Sequence, residues 1–200
     1  MMPYQFDCST CPYRCDGRSL GVYKFKNDVE YSEHFENQII QELIDVGLFA
    51  KKTERDGYPD IEVYEFENGP IRCFIEVKAQ RRSFMSVSRI LPNSGLVPSE
   101  TMALNLSDLL RYFDVASTEL VPVYILWVLS ERPCIVPAGQ YRYFYQRSDV
   151  LQKIYNHYRD ARRFRRASGV GDVVNGQHRG VVVNYHFSLQ ELMSFHINNI

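Results

Sequence analysis

"YPDIEVYEFENGPIRCFIEVKAQ", residues 58–80, decides how this chain is read. Two runs rich in β-branched and aromatic residues, "DIEVYEF" and "IRCFIEVKA", flank Asn68-Gly69, and that dipeptide between strand-like runs is a strong signal for a tight β-hairpin. A hairpin makes no demand for charge, yet this one carries Asp60, Glu76 and Lys78. Side chains i and i+2 leave the same face of a strand, so Glu76 and Lys78 project together while Ile75 and Val77 point into the opposite layer. Asp60 opens the partner strand, where antiparallel pairing brings its carboxylate beside Glu76. Two carboxylates and an ammonium therefore share one locality.

Two converging carboxylates repel each other unless something neutralises them, and they are the hard oxygen ligands that magnesium or manganese prefers. A cation held there could activate water and offset charge on a phosphodiester. Lys78 would position the water or stabilise the developing negative charge. The competing reading leaves all three residues as surface charges on a hairpin.

Upstream, "SEHFENQIIQELIDVG" predicts an amphipathic helix starting at Ser32 and stopped by Gly47, with Phe35, Ile39, Ile40, Leu43 and Ile44 at helical spacing. Glu36 falls in line with Ile40 and Leu43, on the apolar side, where a carboxylate needs a partner such as metal-bound water or Lys78. Downstream, residues 83–103 contain two prolines, a glycine and five serines without a sustained period, and they read as a long loop, a lid or substrate-binding segment. "LNLSDLLRYFDVAS" predicts a second helix packing Leu106, Leu109, Leu110 and Phe113, and "VPVYILWVLS" is the continuous apolar run of a strand buried on both faces. A third helix is expected over roughly Asp149 to Ala167, then the strand "GVVVNYHF" and a short terminal helix from Ser188. The class is α/β with a central mixed sheet flanked by helices. Residues 1–27 read as an irregular N-terminal arm and 28–200 as one domain, with a core at about 30–130 and a helix–strand–helix extension over 131–200.

The chain of 200 residues, 45% hydrophobic and 24% charged, is long enough for a real core. Its net charge of −1 supplies no overall field to draw in nucleic acid, so such a partner would be held by a local patch or by metal ions. "MMPYQFDCST" lacks a basic segment followed by an apolar run, and the apolar stretch around Val121 to Leu129 is too short to span a bilayer. The expectation is a cytoplasmic protein with no membrane partner.

The helix with Glu36, then Pro59-Asp60, then Glu76-Val77-Lys78 resembles the PD-(D/E)xK nuclease superfamily, whose core is a helix, a three-stranded antiparallel run, a helix and a further strand. "IIQELIDVGLF", "CFIEVKAQ" and "LNLSDLLRYFDVASTELVPVYILWVL" look most like archaeal Holliday-junction resolvases and related restriction-type nucleases, over about residues 30–130. The resemblance implies a restriction-endonuclease-like three-layer core. It further implies a magnesium or manganese ion bound by Asp60, Glu76 and the carbonyl of Val77, with Lys78 catalytic and Glu36 assisting.

Gln80, Arg81 and Arg82 continue from the catalytic strand and could meet a scissile phosphate, or be a solvated strand end. "YRDARRFRR" places Arg159, Arg162, Arg163 and Arg166 on one face of the expected third helix, suiting a phosphate backbone, although charge runs are more often solvated faces. Cys8, Cys11 and Cys15 are spaced closely enough for one soft metal, but a structural zinc or iron–sulfur group would need a fourth ligand, from His34, Cys73 or elsewhere. Tyr141, Tyr143, Phe144 and Tyr145 could stack on bases but read by default as core. The function expected is a divalent-metal-dependent nuclease acting on DNA, as a homodimer or with a targeting protein. The alternative is a catalytically inactive module of the same fold that binds nucleic acid or a protein partner.

Overall fold

The structure, a computed structural model, describes residues 25–81, 83–137, 139–165, 173–174, 177–178 and 183–197. The hairpin forms as expected: β2 (Ile61–Tyr64) pairs antiparallel with β3 (Ile71–Gln80), from Ile61 opposite Ile75 to Tyr64 opposite Ile71. A register shift lies between Val63 and Tyr64. In the connection, Asn68 sits at φ 62°, and a side chain on Gly69 would meet the Phe66 carbonyl at 3.0 Å, so the Asn-Gly pair is what lets the chain reverse.

Around this hairpin a six-stranded mixed sheet grows. A strand that the residue pattern itself did not announce, β1 (Phe49–Lys52), lies antiparallel on the outside of β2 and completes the three-stranded run that the resemblance implied. On the other side β3 runs parallel to β5 (Val123–Ser130), which pairs antiparallel with β6 (Tyr141–Arg147), and β6 with the short β11 (Met193–Ser194). The order is β1-β2-β3-β5-β6-β11. A parallel pair needs a crossover, and residues between β3 and β5 supply it, including α3 (Leu106–Glu119). Helix α1 (Phe25–Asp45) precedes the three antiparallel strands and already includes the described residues before Ser32, where the sequence placed its start. The chain order of helix, β1-β2-β3, helix and β5 is the order the nuclease resemblance implied.

Strand parity divides the core into two layers. Ile75 and Val77 join Phe35, Ile39 and Leu43, a stripe at four-residue spacing on α1, together with Ile61, Val63, Leu126 and Val128. Phe74, Ile125, Trp127 and Leu129 turn the other way, onto Leu106, Leu109, Tyr112 and Phe113 of α3, Leu151 of α4 (Ser148–Tyr158), and Tyr185 and Phe187. Each fully buried large apolar side chain contributes roughly 1.5–3 kcal/mol. Among the described residues no helix is long and apolar enough to cross a membrane.

The expected loop over residues 83–103 is packed structure. It holds the short α2 (Val87–Ile90), buries Leu91, Ser94, Leu96, Ser99 and Glu100, and ends in β4 (Thr101–Asn105). β4 belongs to a second sheet, ordered β4-β10-β7, with β10 (Val183–Ser188) and β7 (Arg163–Arg165). Side chains of the main sheet satisfy backbone groups of β4: Gln80 donates to the Thr101 carbonyl at 3.1 Å and accepts from the Ala103 N–H at 2.8 Å, and Trp127 Nε1 donates to the Ala103 carbonyl at 3.0 Å. The buried Arg132 adds bonds to the Ser99 and Thr101 carbonyls at 2.9 and 3.2 Å. A two-residue pair, β8 (Val173–Val174) with β9 (Gln177–His178), completes the strands described.

The third helix is also shorter than its periodicity suggested. α4 stops at Tyr158; Arg159 takes φ 40°, a 3-10 turn follows over Arg159–Arg162, and the chain becomes β7. The arginine face expected over 159–166 is therefore absent from the described residues. Arg162 is 2% exposed, with Nη1 at 2.8 and 2.7 Å from the two Glu191 oxygens, Nε donating to the Ser94 carbonyl at 3.0 Å and the guanidinium 3.5 Å from the Tyr158 ring centre. Glu191 also closes a capping box on Ser188. This tertiary clamp overrides the helical propensity of the arginines.

Candidate active site

The centre forms where β2 stops. Pro59, which has no N–H to donate, precedes Asp60, and the β2–β3 pairing ends at Ile61 opposite Ile75. Beyond that point the backbone of β3 lacks a strand partner on this side, and the Asp60 side chain takes its place: Oδ2 accepts the Val77 N–H at 2.8 Å. Strand parity directs Glu76 to the α3 layer, where it is 1% exposed. Lys78, two residues on, forms an ion pair through Nζ with Glu76 Oε1. The structure thus brings Asp60, Glu76 and Lys78 together.

The segment between β1 and Asp60 is anchored at a distance from the centre. Arg55 binds Glu62 through Nε at 3.2 Å and Glu119 through Nη1 at 2.9 Å, and the Tyr58 hydroxyl donates to Glu119 at 2.5 Å. These contacts tie the Asp60 approach to the C-terminal end of α3. They join residues far apart in the chain, so no local pattern announced them.

The electrostatics follow from the crowding. Burial pushes the Asp60 carboxyl up to about 7, the Glu76 charge pushes the same way, Lys78 and the Val77 N–H oppose them, and Glu36 adds a smaller upward push. Burial works against the Lys78 charge, but Glu76 and Asp60 outweigh it and hold the ammonium above its ordinary pKa, with Asp108 adding to the pull. A residue missed at the sequence level completes the group. Tyr112, buried on α3, stands close enough to Glu76 that burial first and the Glu76 charge second drive its hydroxyl pKa upward. Its signal was present: a phenol in the inward stripe of Leu109 and Phe113 needs a polar partner.

A divalent cation fits these residues. Glu76 Oε2 is buried and has no hydrogen-bond partner, a costly condition for a carboxylate oxygen unless a ligand meets it. The donor set is all oxygen, as magnesium and manganese prefer. Among the described residues no group of three or more His, Cys, Asp or Glu side chains forms a metal cluster, so a cation here would rest on two carboxylates with main-chain oxygen or water.

Other expected residues are placed differently. Glu36 does not meet Lys78; its Oε2 pairs with Lys52 Nζ of β1 at 3.0 Å, on the α1 side of the sheet, and it reaches Asp60 only through its field. The side-chain amide of Gln80, expected to meet a phosphate, bonds the backbone of β4 on both its oxygen and its nitrogen. Arg81 lies 4.8 Å from the Tyr31 ring centre and 3.9 Å from Glu131. Arg163 stands on β7 beside Asp160 at 3.6 Å, and Arg159 at the helix end, so neither shares a face with the buried Arg162. Arg82, Arg166 and the cysteines Cys8, Cys11 and Cys15 lie outside the described residues. Phe144 and Tyr145 are core, while Tyr141 is 40% exposed and accepts a hydrogen bond from Gln38 at 2.6 Å.

No protein-family model matches the chain, and no curated protein matches it. Among solved structures it is similar to a Holliday junction resolvase from the archaeal hyperthermophile Archaeoglobus fulgidus, at 12% identity and a TM-score of 0.43, over 82% of this chain and 92% of that one. A likeness at that score decides no chemistry, which rests on this chain's own strands and side chains.

Proposed function

We propose that this chain is a divalent-metal-dependent nuclease that hydrolyses DNA phosphodiester bonds through a PD-(D/E)xK site made of Asp60, Glu76 and Lys78. The observation that carries the reading is the buried, unpartnered Oε2 of Glu76 beside a second carboxylate whose proton affinity that same crowding has raised. Carboxylates held this way are a cation site rather than surface charge. Asp60, Glu76 and the carbonyl of Val77 would hold magnesium or manganese, which when bound lowers the pKa of water and offsets negative charge on the phosphoryl oxygens.

The remaining work falls to the protein's own groups. The trio contains no serine, cysteine or histidine, so water is the nucleophile: it attacks phosphorus, a P–O bond breaks, and no covalent enzyme intermediate forms. Lys78 keeps its proton under the pull of Glu76 and Asp60, which suits it to stabilise charge on the phosphate in the transition state rather than to abstract a proton from water. Glu36 acts on Asp60 through its charge and not by contact. The near-neutral chain draws DNA weakly by its overall field, so the substrate is held by local contacts, by a second copy of the chain or by a targeting partner.

The test is cleavage of supercoiled, linear and four-way-junction DNA with magnesium or manganese. The wild-type chain is expected to cut, with Asp60→Ala and Lys78→Ala reduced roughly a hundredfold or more. Cleavage undiminished in both variants refutes the assignment. DNA binding without cleavage under any metal favours the inactive module.

A further inference from the structure

The chain on either side of Asp60 is held by one guanidinium. Residues 53–60, between β1 and β2, form a loop whose neck is closed by the Thr53 N–H donating to the Asp60 carbonyl at 2.9 Å, with a turn inside it where the Tyr58 N–H donates to the Arg55 carbonyl at 3.2 Å. Arg55 folds back over this loop. Its guanidinium lies 3.8 Å from the ring centre of Tyr58, just before Asp60, and its Nε donates at 3.2 Å to Glu62, just after Asp60. Glu62 is 5% exposed and its second oxygen accepts the Tyr64 hydroxyl at 2.5 Å, so it is a fixed post on β2. Arg55 Nη1 and the Tyr58 hydroxyl then share one oxygen of Glu119, at 2.9 and 2.5 Å. Glu119 is the last residue of α3, where the helix dipole favours a cation and the last turn carries no basic residue. Local helix chemistry does not ask for an acid at that position, whereas Arg55 and Tyr58 do.

We infer that Arg55 is a positioning residue for Asp60: bound to Glu62 on one side and to Tyr58 and Glu119 on the other, it fixes the direction in which the Asp60 carboxylate leaves the chain, onto the Val77 N–H and beside Glu76. The inference rests on the nuclease reading above for the use made of Asp60, but Arg55 lies outside the PD-(D/E)xK pattern and acts through Glu62, Tyr58 and Glu119. A planar guanidinium bonds two acceptors and stacks on a ring in one fixed geometry, which an ammonium does not reproduce. Groups that orient a metal ligand typically change metal affinity or activity by about 10–100-fold when removed. Preorganisation explains the size, since a carboxylate free to wander must be reordered each time the cation binds.

The experiment takes the chelator-treated full chain as wild type, Arg55→Ala and Arg55→Lys, and measures amide hydrogen exchange without metal and calorimetric titration with manganese. Asp60 Oδ2 accepts the Val77 N–H at 2.8 Å, whereas the Phe74 N–H of the same strand is accepted by the Pro122 carbonyl at 2.9 Å. The two amides therefore separate local release of Asp60 from general loosening of the sheet. The expected result is that Val77 exchanges about tenfold faster or more relative to Phe74 in both variants, with the manganese Kd raised about tenfold or more. Arg55→Lys keeps the charge without the fork, and it carries the test where Arg55→Ala does not fold. An arginine with a merely structural role would lower the unfolding midpoint, speed exchange at Val77 and Phe74 alike, and leave the Kd of the folded protein where it was. That outcome overturns the inference and leaves the nuclease reading standing. Absence of manganese binding in wild type overturns the nuclease reading itself, and this inference with it.

Discussion

Replacing Asp60 by asparagine should make the metal-free protein more stable at alkaline pH. The folded structure raises the Asp60 carboxyl from its ordinary 3.8 to about 7, through burial first and the neighbouring Glu76 second. Between those two values the folded state holds a proton that the unfolded state has released. The stabilising contribution of the protonated group is therefore complete below about pH 3.8, falls as pH rises, and is gone above about 7. At about 1.4 kcal/mol for each tenfold in proton affinity, the difference corresponds to roughly 4 kcal/mol. Asp60 retains some solvent contact, and screening brings the expectation to about 2 kcal/mol. Asparagine keeps an oxygen to accept the Val77 N–H but carries no charge to oppose Glu76.

The assay is urea unfolding in the presence of chelator at pH 4 and pH 8, for wild type and Asp60→Asn. The variant should exceed wild type by about 2 kcal/mol at pH 8 and match it near pH 4, and other titrating groups cancel in the comparison. Saturating manganese should reverse the order at pH 8, because a ligand at one hundred times its Kd adds about 2.7 kcal/mol to the form that binds it. A variant no more stable than wild type at pH 8 would refute the claim that Glu76 and Asp60 are forced together.

Two further outcomes follow from the second sheet. Arg162→Ala should destabilise the fold by about 3–5 kcal/mol, the cost of breaking a buried pair, because Glu191 and the Ser94 carbonyl lose their partner; urea unfolding measures this, and DNA affinity of the folded fraction should not change. His186 is buried with Nδ1 at 3.1 Å from the Arg162 carbonyl, and burial lowers its pKa from 6.5 to about 4. The unfolded chain gains a proton first as pH falls, so the His186 contribution is complete above about 6.5 and lost toward 4, up to about 3 kcal/mol. Unfolding of wild type and His186→Phe across that range should converge on acidification.

The hairpin was legible because its information is local. Asn68-Gly69 specifies the reversal, and the alternation through Phe74, Ile75, Glu76, Val77 and Lys78 specifies which side chains share a face. Asp60 followed from the same register. What escaped depended on partners distant in sequence. β1 is only four residues long with two lysines, and it becomes a strand by pairing with β2. The serine- and proline-rich stretch before β4 has no period, yet Arg132, Gln80 and Trp127 bind its end or the strand that follows. The arginines after Tyr158 read as a helical face, and the burial of Arg162 against Glu191 ends the helix there. Glu36 was correctly read as needing a partner, but Lys52 was invisible as that partner until β1 was placed.

The central claim, that Asp60, Glu76 and Lys78 form a metal-dependent hydrolytic centre, is tested most directly by nicking of supercoiled DNA as magnesium or manganese is titrated in, with Glu76→Gln beside wild type. The account predicts cleavage that requires added metal, is abolished by chelator and falls by about a hundredfold or more in Glu76→Gln. Cleavage that persists in Glu76→Gln at the wild-type rate would contradict it.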